Sequence, residues 1–318
     1  MLAETYRIQT GDGHSIFVRH WPSKNAAPRA LIHILHGMAE HSERYARLAE
    51  ALTRAGFDVV AHDHRGHGHS VANPTDLGHY GGKDSWKHLV NDVLLVQQHA
   101  LQSKPGLPVV LFAHSMGSFI AQAFAIQHSN TLAGLIISGS NYNPPSLYRF
   151  LRRIAWLERL RLGQRGRSSL LDFLSFGSFN KKFNPSRTSF DWLSRDPLEV
   201  DKYINDPLCG FICTTQTWME LCSGLIEIST LDNLKKITPK LPIYLFYGEN
   251  DPVSGAKHSV EILRKNLQLA GVTDVSCRMY PNGRHEMLNE INRDEVITDA
   301  LNWLNNHFAA TEKKLNHA

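Results

Sequence analysis

The chain has 318 residues, with 34 Lys and Arg against 30 Asp and Glu, a formal charge of +4. At ~150 residues per domain this length fits two domains, or one α/β core with an insertion. The mild charge gives no electrostatic case for a nucleic-acid partner, 42% hydrophobic and 20% charged residues exclude a disordered chain, and no run of ~18 apolar residues is present to span a bilayer.

The opening stretch, MLAETYRIQTGDGHS, carries Glu4 and no long apolar region. No secretory signal is expected there, and the protein is expected in the cytoplasm. The first elements are an antiparallel edge hairpin over 6–10 and 15–21, turning at Gly11-Asp12-Gly13. Strands follow over 30–35 and 57–61, with a helix between them over 42–55. A second helix is predicted over 84–102, with Trp86, Leu89, Val93 and Val96 on one face. Strands over 109–113 and 132–138 flank a third helix, which opens directly after Ser115. The alternation stops near Asn141. It resumes with a strand over 242–247, a helix over 255–269, a strand over 274–280 and a final helix over 294–308. Strands alternating with helices imply a mostly parallel sheet covered on both faces. The stretch 144–230 is too long for a connection. It is rich in Arg, aromatics and helix formers, and reads as a helical cap inserted into a core made of 1–143 and 231–318. The polar tail 311–318 is expected to fray.

The strongest local signal is Ala113-His114-Ser115-Met116-Gly117, with an apolar strand before it and a helix after it. A serine on that sharp turn has its hydroxyl pushed into the open. Strand and helix backbones pass closely there, which Gly117 permits, while Ala113 stands where glycine is more usual. The new helix also directs its partially positive N-terminus at the serine, where a developing oxyanion would be stabilised. Serine is a poor nucleophile without a base, and the base needs an orienting acid. Asp251 follows the strand over 242–247 and His285 follows the strand over 274–280, in the chain order serine, acid, histidine. Both are expected at carboxyl ends of parallel strands, where open α/β sheets place their sites. Glu249 is the rival acid. The oxyanion donors are expected to be the backbone amides of Met116 and, in the loop after the strand over 30–35, of Met38.

Four segments together carry a resemblance: HGMAEH (36–41), DHRGHGHS (63–70), HSMG (114–117) and GENDP (248–252). They resemble the monoacylglycerol lipase and lysophospholipase branch of the α/β-hydrolase fold. FDWLSRD (190–196) and DPL (206–208) are similar to bacterial members. The resemblance implies a Ser-Asp-His carboxylester hydrolase with a mobile cap over an acyl channel and no cofactor. It also places Glu40 and Arg44 near the polar glycerol end of the substrate. A second family histidine, three residues after the catalytic one, is replaced by Leu288. The substrate implied is a lysophospholipid or a monoacylglycerol. An aminopeptidase or thioesterase with the same triad stays open, because the triad is indifferent to the leaving group.

Two rival classes stand beside this reading. The histidines over 62–69 are of metal-ligand type, as in a zinc hydrolase, but a βα turn built on Arg65 and two glycines accounts for them without metal. A binding module that has lost its chemistry is the other rival, and here all three triad positions are filled. The four cysteines form no CxxC, and reduced thiols are expected. Cys209 and Cys213 are predicted to share one face of a helix as buried thiols. Over 143–167, Arg149, Arg152, Arg153, Arg159, Arg161, Arg165 and Arg167 oppose only Glu158. Leu147, Phe150, Leu151, Ile154, Leu157 and Leu160 recur there at helical spacing. This segment is either a channel cover with solvated arginines or a peripheral contact with the inner membrane surface or a lipid phosphate.

Overall fold

The computed structural model describes residues 3–25, 27–254 and 257–308. The predicted fraying of 311–318 and the start of the predicted helix at 255–256 lie outside them. Eight strands form one sheet: β1 (Glu4–Gln9), β2 (Ser15–Trp21), β3 (Leu31–Leu35), β4 (Asp58–His62), β5 (Val109–His114), β6 (Gly134–Ser138), β7 (Ile243–Gly248) and β8 (Val275–Tyr280). Their order is β1-β2-β4-β3-β5-β6-β7-β8. The β1–β2 and β2–β4 pairings are antiparallel and all others parallel, so the predicted hairpin forms the antiparallel edge. The helices are α1 (Ala46–Arg54), α2 (Ser85–Leu101), α3 (Met116–His128), α4 (Pro145–Leu162), α5 (Ser169–Phe176), α6 (Pro197–Asn205), α7 (Thr215–Ile228), α8 (Leu231–Leu234), α9 (Lys257–Leu269) and α10 (Arg293–His307).

Strands β3 to β7 are buried at every position. That is why they read as continuous apolar runs rather than alternating ones. The period of two still divides them between two cores. Leu31, Leu35, Leu111, Ala113, Leu135, Ile137 and Leu245 face the layer containing α2, α3, α7 and α9. Ile32, Ile34, Val110, Phe112, Ile136, Tyr244 and Phe246 face the layer containing α1 and α10. This is the mostly parallel sheet covered on both faces that the alternation of elements predicts, and the α/β-hydrolase architecture that the resemblance implies. The predicted helix over 42–55 opens instead as a 3₁₀ turn, Ser42–Tyr45, before α1. Ser42 spends its amide and hydroxyl on Asp63 Oδ1, at 2.8 and 2.5 Å, which fixes that turn to β4.

The segment between β6 and β7 carries α4 to α8. Its helix α7 packs on α4 and also on α3 and α2, and it contributes Trp218, Leu221, Leu225 and Ile228 to the main core. Gly224 of α7 lies directly on the Trp86 indole, where any Cβ would collide. Helix α4 keeps Tyr148 and Ala155 buried and leaves Phe150, Leu157 and Leu160 more than half exposed. Cys209 and Cys213 do not share a helix. They lie in the irregular stretch between α6 and α7, where the Asp206 side chain caps the Leu208 amide at 2.8 Å and Gly210 has φ 69°. All four cysteines are free thiols.

Candidate active site

Ser115 joins β5 to α3 with φ 51° and ψ −121°. That strained, non-helical conformation is rare for a residue with a side chain. Tight packing holds it. Gly117 lies against the β3 terminus, and a Cβ there would come within 2.6 Å of the His36 carbonyl. The Ser115 amide donates to Ser138 O at 2.9 Å, and its carbonyl accepts from the Ser118 hydroxyl at 2.5 Å. Asp251 stands after β7 and His285 after β8. The Ser115 hydroxyl lies 2.9 Å from His285 Nε2, and His285 Nδ1 lies 2.9 Å from Asp251 Oδ1. Three side chains spread over 170 positions thus form one hydrogen-bonded line.

Burial would pull the His285 pKa down. The charge and hydrogen bond of Asp251 outweigh it, so the imidazole sits above its ordinary 6.5. Burial would likewise raise Asp251. His285, the Ser254 hydroxyl and the Val253 amide reverse it, and the carboxyl is held below its usual range. Glu249, the rival acid, accepts the Asn282 amide at 3.1 Å.

Met38, after β3, lines two pockets, and both of these also reach Ser115. Met116 lines the second of them. The main-chain amides of Met38 and Met116 donate to no group among the described residues. The first pocket is the more polar, with Glu40, Asp172, Ser189, Trp192, His285 and Glu286 around it. The second is an apolar pocket of roughly 840 Å³, its open mouth included, walled by Phe119, Leu151, Leu171, Leu174, Trp218 and Leu225. Ser115 stands where the two meet.

Glu40 is buried, and both its oxygens are engaged. Oε1 accepts the Gly37 amide at 2.5 Å and the Tyr45 hydroxyl at 2.8 Å, and Oε2 pairs with Arg44 at 2.5 Å. Arg44 lies behind the pocket wall and makes a bidentate pair with Glu286, at 2.7 and 2.6 Å. Burial works against the Glu286 carboxylate, but Arg44 holds it well below the usual range. Glu286, next to His285, was visible in the sequence but drew no expectation. Neither did Trp192, whose ring stands 5.1 Å from the imidazole, nor Tyr203, whose hydroxyl donates to the Ala39 carbonyl at 3.0 Å.

The histidines over 62–69 do not converge on one point. His62 faces His33, with ring nitrogens 2.9 Å apart. His67 accepts the Ala39 amide at 3.2 Å, and the His69 ring packs on Phe17. Asp63 spends its oxygens on Arg19, Ser42 and the His69 amide. Among the described residues, the donor set that does converge is His41, Asp206 and Cys209. There His41 already pairs with Asp206 at 2.8 Å, and burial pushes the Cys209 thiol up, away from the thiolate a metal needs.

The Hydrolase_4 family, described as serine aminopeptidase, S33, matches residues 26–292. Monoglyceride lipase of Homo sapiens is 30% identical over 303 residues, covering 94% of this chain and 88% of that protein. A probable lysophospholipase L2 of Haemophilus influenzae is 24% identical over 297 residues, covering 91% of this chain and 87% of its own. Among solved structures, a highly thermostable carboxyl esterase from Bacillus coagulans in complex with glycerol matches with a TM-score of 0.87 at 27% identity, over 97% of this chain and 100% of that one. The chain therefore belongs to the Hydrolase_4 family of α/β-hydrolases, serine hydrolases with lipase and esterase relatives.

Proposed function

We propose that this protein hydrolyses carboxylic esters of single-chain lipids, monoacylglycerol or lysophospholipid, through an acyl-Ser115 intermediate. The observation that carries the reading is the position of Ser115 at the junction of a polar and an apolar pocket. One acyl chain fits the apolar arm, lined by Phe119, Leu151, Leu171 and Leu225, while the alcohol part lies on the polar side near Glu40 and Glu286. Arg44 acts from behind, holding both carboxylates in place. The segment 144–230 serves as the cap over the acyl arm.

His285 takes the Ser115 proton as the hydroxyl attacks the ester carbonyl, then gives it to the leaving alcohol. In the second half it takes a proton from water, whose oxygen attacks the acyl-serine, and returns that proton to Ser115 Oγ as the acid leaves. Asp251 holds the proton of the neutral imidazole on Nδ1 and stabilises the imidazolium. The unspent amides of Met38 and Met116 receive the oxyanion. No cofactor enters this sequence of steps.

Among the described residues, no helix is long and apolar enough to cross a membrane. Contact with the cytoplasmic membrane surface is therefore proposed as peripheral, through α4. The test is a substrate panel of monoacylglycerol, lysophospholipid, acyl-CoA and aminoacyl amides on wild type and Ser115→Ala, with and without EDTA. The expected result is ester turnover that EDTA spares, with Ser115→Ala unlabelled by a fluorophosphonate and slower by at least ~10³-fold. Preferred turnover of aminoacyl amides or acyl-CoA would transfer the assignment to those classes. Near wild-type activity in Ser115→Ala would remove the nucleophile.

A further inference from the structure

In the loop that carries Met38, the groups on either side are each held by a specific partner. The Gly37 amide donates to Glu40 Oε1 at 2.5 Å. The Gly37 carbonyl lies 2.7 Å from His36 Nδ1. The Ala39 amide donates to His67 Nε2 at 3.2 Å, and His67 Nδ1 lies 3.0 Å from the Arg65 carbonyl, which fixes the tautomer that leaves Nε2 as acceptor. The Ala39 carbonyl accepts twice at 3.0 Å, from the Tyr203 hydroxyl and the Gly210 amide. Between these clamps the Met38 amide is left unspent. Ala39 has φ 54°, in the left-handed region that a residue with a Cβ avoids. The turn therefore keeps its shape because its partners impose it, not because alanine favours it.

Three of these clamps come from the core. The fourth does not. Tyr203 belongs to α6 and Gly210 to the stretch after it, both in the segment between β6 and β7. The Tyr203 hydroxyl has Ala39 O as its partner, while its ring packs on Phe190 at 5.1 Å and under the Arg44 guanidinium at 4.9 Å. The same segment also grips the other side of the site. The His285 and Glu286 amides donate to the carbonyls of Trp192 and Leu193, at 3.3 and 2.8 Å.

We propose that Tyr203 is a positioning residue for the oxyanion site: by holding the Ala39 carbonyl it aims the Met38 amide, and so makes transition-state stabilisation depend on the seating of α6. The inference rests on the reading of the Met38 amide as an oxyanion donor. Without the Tyr203 hydroxyl the Ala39 carbonyl keeps only the Gly210 amide, so the turn that carries the Met38 amide loosens, and a donor aimed wrongly for the tetrahedral state loses rate without losing substrate.

The experiment compares wild type with Tyr203→Phe, which removes the hydroxyl and keeps the ring. Four quantities are measured: kcat and KM on a soluble short-chain ester, affinity for a trifluoromethyl ketone, which forms the tetrahedral adduct, and affinity for a long-chain alcohol, which does not. The expected result is a fall of ~10-fold in kcat, part of the ~10²–10³ lost when a donor is removed outright. Ketone affinity falls by the same factor, with KM and alcohol affinity nearly unchanged. Unchanged kcat and ketone affinity, or KM rising and alcohol affinity falling by as much as kcat falls, overturns the assignment. Should Tyr203→Phe not accumulate folded, difluorotyrosine at position 203 replaces it as a stronger hydrogen-bond donor. Tighter ketone binding at constant KM is then expected, and no change overturns it. Failure of the hydrolase reading is distinct, since wild type itself would then neither turn over the ester nor bind the ketone.

Discussion

Asp251 meets His285 at 2.9 Å with both side chains buried, while its second oxygen accepts the Ser254 hydroxyl at 2.6 Å. The acid is therefore held from two directions and cannot rotate without breaking a buried hydrogen bond. Asparagine at this place can present its amide to Nδ1 and reverse the tautomer. Asp251→Asn is expected to lower kcat by up to ~10⁴-fold, as in a serine protease with the same change. Glu249→Gln keeps an oxygen for the Asn282 amide and is expected to stay within a few-fold of wild type. Steady-state kinetics on one soluble ester decides between them, and a worse Glu249→Gln would reassign the acid.

The raised pKa of His285 gives the pH dependence its sign. The base must be neutral to take the serine proton, so kcat/KM falls as pH drops through the His285 pKa, and the midpoint lies above the ordinary 6.5. Replacing Asp251 by Asn removes the largest upward cause and leaves burial opposed only by Glu286 and Glu40. In that variant the acid limb is expected to move to lower pH. A limb that stays in place would mean another group controls it.

Stability also falls in acid, through histidines whose pKa shifts have the opposite sign to that of His285. His33, His36 and His64 are buried and held well below the ordinary histidine value, and burial lowers His62 and His67 to about 4. Their contribution is fully present above the unfolded pKa of about 6.5 and is lost as pH falls from there towards about 4, because the unfolded chain takes up the protons first. His285 works the other way, stabilising below 6.5 and losing that contribution as pH rises through its folded value, but it is one group against these five and against His14, His79 and His114, which burial also lowers. Urea midpoints are expected to drop between pH 7.5 and pH 5, with more than one proton taken up on unfolding. A flat profile would contradict neutral buried rings.

Four of the seven arginines over 143–167 have partners within the chain. Arg161 pairs with Glu158 and Arg165 with Asp76, Arg167 donates to main-chain carbonyls of Leu77 and Ile212, and Arg159 reaches the Met219 sulfur. Arg149, Arg152 and Arg153 are exposed and make no ion pair among the described residues, beside exposed Phe150 and Leu157. Each is expected to contribute ~1 kcal/mol at an anionic surface, so replacing all three with Gln should weaken binding to anionic vesicles roughly a hundredfold. The effect should shrink with salt and leave soluble-ester turnover intact. Vesicle sedimentation measures it, and equal binding by mutant and wild type would leave α4 as a channel cover alone.

What was legible in the sequence is what local rules govern. Ser115, Asp251 and His285 each follow a strand whose apolar run and β-branched content identify it without the fold. Pairings that close over long separations left no such trace. Nothing near Tyr203 marks it as a partner of Ala39, 164 positions earlier. The helix predicted through Cys209 and Cys213 failed because Asp206 turns the chain on itself and Gly210 adopts a left-handed conformation there. The apolar side predicted for the basic stretch is only partly covered, because α4 packs Leu151 and Ile154 on the core and leaves Leu147, Phe150, Leu157 and Leu160 exposed.

The fit of Gly224 on Trp86 limits how this chain can be cut and recombined. Helix α7 is the inner layer of the main core as much as the last helix before β7, so excising 144–230 and closing the gap with a linker would strip cover from α2 and α3. A graft from a relative should instead leave α7 with the recipient and exchange only what precedes it. Biosynthesis meets the same constraint. The core over α2 and α3 stays open until ribosomal synthesis has passed residue 228, well after β1 to β6 have emerged, and that face is completed only with α9.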